Sequence, residues 1–126
     1  MTTPIHKKGP YLIARVDSAV NDRDLAELHD ALIGKLERGG AAGVVVDVAE
    51  LDVLDSFAAR TFRDLTAEAS RHGARMVVAG LQPGVAVAMA VLGVTLEGTL
   101  VAPDVEAGLR MLNPRPAHRD QLTPAR

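Results

Sequence analysis

Leu25, Leu28, Leu32 and Leu36 recur three and four residues apart, the spacing that puts all four on one face of a helix. Asn21 to Asp24 supply the acidic and amide residues that favour a helix start, and Gly39-Gly40 stops it. The same period returns in Ala58, Thr61, Leu65 and Ala69, which predicts a second helix opened by Asp55-Ser56, running to about His72 and closed by Gly73. Between the two lies GVVVDV (Gly43 to Val48), a nearly continuous apolar run that reads as a central strand buried on both faces. ARMVVA (Ala74 to Ala79) reads the same way. YLIARV (Tyr11 to Val16) predicts a strand entered through the turn residues Gly9-Pro10, with Ile5 to Lys8 beside it as a short edge strand. Pro83 suits the first position of a third helix ending at Leu92 with Gly93 as its stop. Leu100-Val101 predicts a short strand, and Pro103-Asp104 open a last helix to about Leu112.

Strand and helix alternate along the chain, which argues for an α/β layer structure with a mostly parallel sheet. Residues 1–113 are expected to form one domain, and 114–126, rich in Pro, Arg and Ala, a disordered tail. In open α/β sheets, functional groups gather at the carboxyl ends of strands. Leu51 to Ser56 occupies such an end.

Composition narrows the function. A net charge of −2 lacks the basic footprint of a nucleic-acid binder, and only Tyr11, Phe57 and Phe62 offer an aromatic face. There is no cysteine, hence no disulfide and no thiolate site. Met1 to Lys8 carries no apolar core of the kind a secretory leader needs. No apolar run reaches the ~18 residues of a membrane span. A cytoplasmic location is the expectation.

No chemical constellation stands out. His6, His29, His72 and His118 have no ligand spacing. Asp47, Asp52 and Asp55 cluster in sequence, but acids after a strand are ordinary turn and cap residues. Neither a phosphate-binding loop nor a dinucleotide fingerprint is present. Ser56 follows a strand and opens a helix, yet LDSFA (Leu54 to Ala58) lacks the glycines of a nucleophile elbow, and His72 lies about four turns away on the same helix. Two readings of Asp55-Ser56 remain open: a helix cap, or a phosphoacceptor at a helix start where Asp52 and Asp55 make an added charge felt as repulsion.

GVVVDVAELDVLDSFAARTF (Gly43 to Phe62) resembles the signature of STAS domains, small α/β regulators in which hydrophobic-Asp-hydrophobic is followed by Asp-Ser at the next helix. VVAGLQPGVAVAMAVLGVTLEGTL (Val77 to Leu100) is similar to the same family, and the likeness covers about residues 5–112. Sporulation-type members read Asp-Ser-Ser-Gly at this helix. Asp55-Ser56-Phe57-Ala58 is closer to the RsbS-type members, single-domain scaffolds of the bacterial stressosome. The resemblance implies a STAS fold with a mostly parallel sheet of four to five strands and about four helices. It implies a non-enzymatic scaffold without cofactor or metal, phosphorylated at Ser56, with Asp52, Asp55, Phe57 and Arg60 as a partner-facing surface. Phe57 also reads as helix-end packing, and Arg60 as a solvated residue. The implied partners are RsbR-type STAS paralogues in a large assembly, an RsbT-type serine/threonine kinase that the scaffold sequesters, and an RsbX-type phosphatase. Further copies of the chain itself are expected, at least as a dimer. Neither nucleic acid nor membrane is expected as a partner. The rival readings are a free-standing anti-sigma factor antagonist, a covalent enzyme using Ser56, and a ligand-binding STAS module.

Overall fold

In the computed structural model, which describes residues 4–113, the expected alternation of strand and helix is present. The expectation of a disordered tail at 114–126 lies outside the described residues. Strand β1 spans Ile5–Lys8, β2 Tyr11–Arg15, β3 Gly43–Asp47, β4 Arg75–Ala79 and β5 Leu100–Ala102. Helix α1 spans Asp22–Glu37, α2 Ser56–Arg71, α3 Pro83–Leu92 and α4 Val105–Leu112. The sheet order is β1-β2-β3-β4-β5; β1 runs antiparallel to β2 and every other pairing is parallel.

Because β3 and β4 sit in the middle, their side chains are buried on both faces, which is why their sequences are apolar throughout. Val44, Val46, Met76 and Val78 face the layer built by α1 and α2, and the four leucines of α1 and Phe62 and Leu65 of α2 close over them. Val45, Val77 and Ala102 face the other way, toward α4. Gly108 lets α4 approach closely: a Cβ there would stand 3.3 Å from Val77 Cγ1. Burial of this size, at roughly 25 cal/mol per Å² of apolar surface, holds the layers together.

Local signals set the helix ends. Asn21 caps α1 through a reciprocal pair, its side chain accepting from the Asp24 N–H at 2.8 Å while Asp24 accepts from the Asn21 N–H at 3.2 Å. Helix α3 departs from the amphipathic rule. It is apolar throughout, yet only Val85 and Met89 are buried, and Val87, Val91 and Leu92 are exposed. No helix among the described residues is long and apolar enough to cross a membrane.

Candidate functional site

Three loops leave the carboxyl edge of the sheet side by side: residues 16–21 after β2, 48–55 after β3 and 80–82 after β4. Parallel connections put them there, since each strand must hand the chain to its helix at the same edge. The middle loop leads into α2 and Ser56.

That loop is tied down at both ends. Asp47 ends β3 with its carboxylate mostly buried; Oδ1 accepts from the Ala49 N–H at 3.0 Å, and Oδ2 lies 3.8 Å from Arg15 Nε. The Leu51 N–H donates to the Val48 carbonyl at 3.0 Å, and Leu51 and Leu54 are buried. Gln82 reaches across from the next loop, Nε2 donating to the Ala49 carbonyl at 2.8 Å. Gly80 makes this approach feasible. Its φ of 85° is left-handed, and a Cβ there would stand 3.0 Å from the Ala49 Cβ. Between the buried leucines, Asp52 and Val53 point to solvent.

Asp55 is the N-cap of α2 and Ser56 its first residue. Asp55 Oδ1 accepts from the Ala58 N–H at 2.9 Å, and the Asp55 carbonyl accepts from the Ala59 N–H at 2.9 Å. The cap therefore uses Asp55 alone. Ser56 is exposed, and its hydroxyl has no hydrogen-bond partner among the described residues. The N–H groups of Ser56 and Phe57 are likewise without an acceptor there, as the first turn of a helix leaves them. A free hydroxyl thus stands beside two free donors at the positive end of a 16-residue helix.

Asp52 and Asp55 join Ser18 from the first loop and Asp22 from the first turn of α1 in a groove of about 320 Å³ floored by Leu25 and Ala58. Asp22 was read only as part of a helix start and Ser18 not at all, although the rule that loops converge at the carboxyl edge was available to place both beside Asp52 and Asp55. Phe57 is not part of this groove. It is half-buried against the main core, while Arg60, a turn further along, is exposed. The candidate set therefore splits into Asp52 and Asp55 beside the serine, Phe57 turned to the interior, and Arg60 on the open helix surface. Among the described residues no three His, Asp or Glu side chains come together as metal ligands. His72 caps the far end of α2, about 24 Å from Ser56 at the rise of a helix, with Nδ1 3.0 Å from the Glu68 carbonyl.

Helix α2 is also fastened to the segment between α3 and β5. Thr66 Oγ1 and Thr99 Oγ1 are 2.8 Å apart, and the Arg63 guanidinium donates to the Thr95 carbonyl.

The family model for the STAS domain matches residues 3–107. Among solved structures, a glutamate-for-serine variant of RsbS from Moorella thermoacetica is similar with a TM-score of 0.76 and 25% identity, covering 87% of this chain and 93% of that one. A chain from the molecular architecture of the stressosome, described as a signal integration and transduction hub, is similar with a TM-score of 0.72 and 27% identity over 86% of this chain and 95% of that one. The anti-sigma factor antagonist SpoIIAA in its unphosphorylated form shares the fold, with a TM-score of 0.73, at 10% identity over 90% and 98% of the two chains. The sequence matches no curated protein.

Proposed function

This chain belongs to the STAS domain family, and on that premise we propose that it is an RsbS-like stressosome scaffold that sequesters an RsbT-type serine/threonine kinase and is switched by phosphorylation of Ser56. The observation that carries the proposal is the state of Ser56. Its hydroxyl is exposed and unpaired, while Asp55 alone holds the helix start. Phosphate can be added there without removing a structural hydrogen bond.

The chemistry of such a switch follows from the surroundings. The free N–H groups of Ser56 and Phe57 and the helix dipole favour a phosphate, while Asp52 and Asp55 oppose it. The opposing terms leave the fold in place and change the surface charge by about −1.5 to −2. A kinase surface fitted to the uncharged Ser56 hydroxyl then meets a bulky dianion and no longer fits. The likeness to RsbS and to a stressosome chain favours this reading over a free-standing anti-sigma factor antagonist, whose named example shares only 10% identity. RsbR-type paralogues would complete the assembly, and an RsbX-type phosphatase would reset Ser56.

The test is retention of an RsbT-type kinase on the immobilised full chain. Retention without ATP, release with ATP, and failure of release for Ser56→Ala are expected. No retention under any condition overturns the reading. A stable one-to-one complex with an anti-sigma kinase, with no incorporation into a large particle beside RsbR-type chains, moves the protein to the antagonist class.

A further inference from the structure

The charges of this molecule are sorted along the strand direction. At the amino edge of the parallel sheet stand Lys7, Lys8, Lys35, Arg38, Arg75 and Arg110. At the carboxyl edge stand Asp22, Asp47, Glu50, Asp52, Asp55 and Asp104. Helix dipoles account for the acids at helix starts and the bases at helix ends. They do not account for Lys7 and Lys8 on β1, Arg75 at the start of β4, or Glu50 and Asp52 in a loop. Among the described residues the sorting has exceptions: at the basic edge Glu37 ends α1 beside Lys35 and Arg38 and Glu68 is paired with Arg71, and at the acidic edge Arg23 lies in the first turn of α1 and Arg15 lies near Asp47.

Each edge also carries a shaped feature. Lys7, Lys35 and Arg38 surround a groove of about 190 Å³ between the free edge strand and the end of α1, with an apolar floor of Ile5, Leu12 and Ala41. None of the three cations has a carboxylate partner among the described residues. At the other edge, Val53 protrudes with 71% of its surface exposed, between exposed Asp52 and buried Leu54, with Glu50 and Asp55 close by. An apolar tip ringed by carboxylates is the complement of an apolar floor ringed by cations.

We propose that the 50–55 loop of one copy docks in the Lys7/Lys35/Arg38 groove of the next, head to tail, with Val53 on the apolar floor. The two patches lie on different parts of the surface, so each copy offers both at once. Such a heterologous contact grows into rings or open chains and does not stop at a twofold dimer. The contact is electrostatic in large part, so salt weakens it. It rests on the charge pattern and groove shape, not on phosphorylation of Ser56, and because Asp52, Val53 and Asp55 also line the groove beside Ser56, a docked copy and a docked kinase compete for this loop.

Sedimentation velocity of the full chain in about 50 mM and about 500 mM NaCl tests it. The expected result is concentration-dependent growth at low salt and the monomer at high salt. Two charge-reversal variants separate the ends of the contact: Lys7→Glu with Lys35→Glu and Arg38→Glu in the groove, and Glu50→Lys with Asp52→Lys in the loop. Each is expected to sediment as a monomer by itself at low salt, with an unchanged circular dichroism spectrum. Mixed, they are expected to associate again in alternation, because the native loop of one meets the native groove of the other and the reversed loop and reversed groove also carry opposite charges. A monomeric native chain at low salt overturns the proposal, as does a mixture that fails to associate. Association that survives both high salt and the groove reversal also overturns it, and points to the exposed Val87, Val91 and Leu92 of α3 as the contact between copies.

Discussion

Asp55 caps the helix that Ser56 begins: the Asp55 carboxylate accepts from the Ala58 N–H at 2.9 Å, and the Ser56 hydroxyl between them is left unpaired. Both residues are helix starters by type, but in space they divide the work. One holds the backbone, and the other is free for chemistry.

Removing each in turn separates the roles. Asp55→Ala is expected to destabilise the fold by about 1 kcal/mol, through loss of the cap. Ser56→Ala, which removes no hydrogen bond, is expected to lie within about 0.5 kcal/mol of the native chain. Urea unfolding of the three proteins measures both. Equal losses would show that the serine shares in the cap.

A charge at position 56 meets opposed influences. The helix dipole contributes about 0.3–1 kcal/mol in its favour, and repulsion from Asp52 and Asp55 offsets it. Ser56→Asp is therefore expected to change the unfolding free energy by less than about 1 kcal/mol and to leave the circular dichroism spectrum unchanged. A loss of several kcal/mol would mean that the site cannot carry a phosphate without melting.

The loop before Ser56 depends on a close approach from the neighbouring connection. Gly80→Ala places a Cβ 3.0 Å from the Ala49 Cβ in a left-handed backbone and is expected to cost about 1–2 kcal/mol. Gln82→Ala removes the 2.8 Å bond to the Ala49 carbonyl, at about 1 kcal/mol. Thermal unfolding ranks the two, and Gly80→Ala is expected to be the lower-melting variant.

The sheet's second face has a single helix over it. Gly108→Val overfills the gap to Val77 and is expected to destabilise by about 1–3 kcal/mol, measured by denaturant unfolding. An equal or higher stability would show that α4 can shift outward freely.

Much of this was legible in the sequence because it is local. The leucines of α1 and the apolar runs of β3 and β4 announce their faces by period, and glycines 39, 73 and 93 mark the helix ends. Asp55-Ser56 was readable as a helix start with Asp55 as the N-cap and Ser56 as the first helical residue, and the Asp55 carboxylate makes that cap. The bond from Gln82 to Ala49 joins residues 33 apart, and no local pattern encodes it. The same holds for the Thr66–Thr99 contact that fastens α2 to the segment before β5. The packing of Phe57 and the solvation of Arg60 were readable from residue type, and the structure has Phe57 half-buried against the core and Arg60 exposed. Helix α3 was readable in its bounds, Pro83 to Leu92 with Gly93 as the stop, but its apolar sequence does not show that most of its surface faces outward.

The most direct test of the central claim is the intact mass of the full chain after incubation with an active RsbT-type kinase and ATP, beside Ser56→Ala treated identically. One added phosphate on the native chain and none on the variant is the predicted result. An unchanged native mass with a kinase shown to be active, or a phosphate that persists in Ser56→Ala, would contradict it.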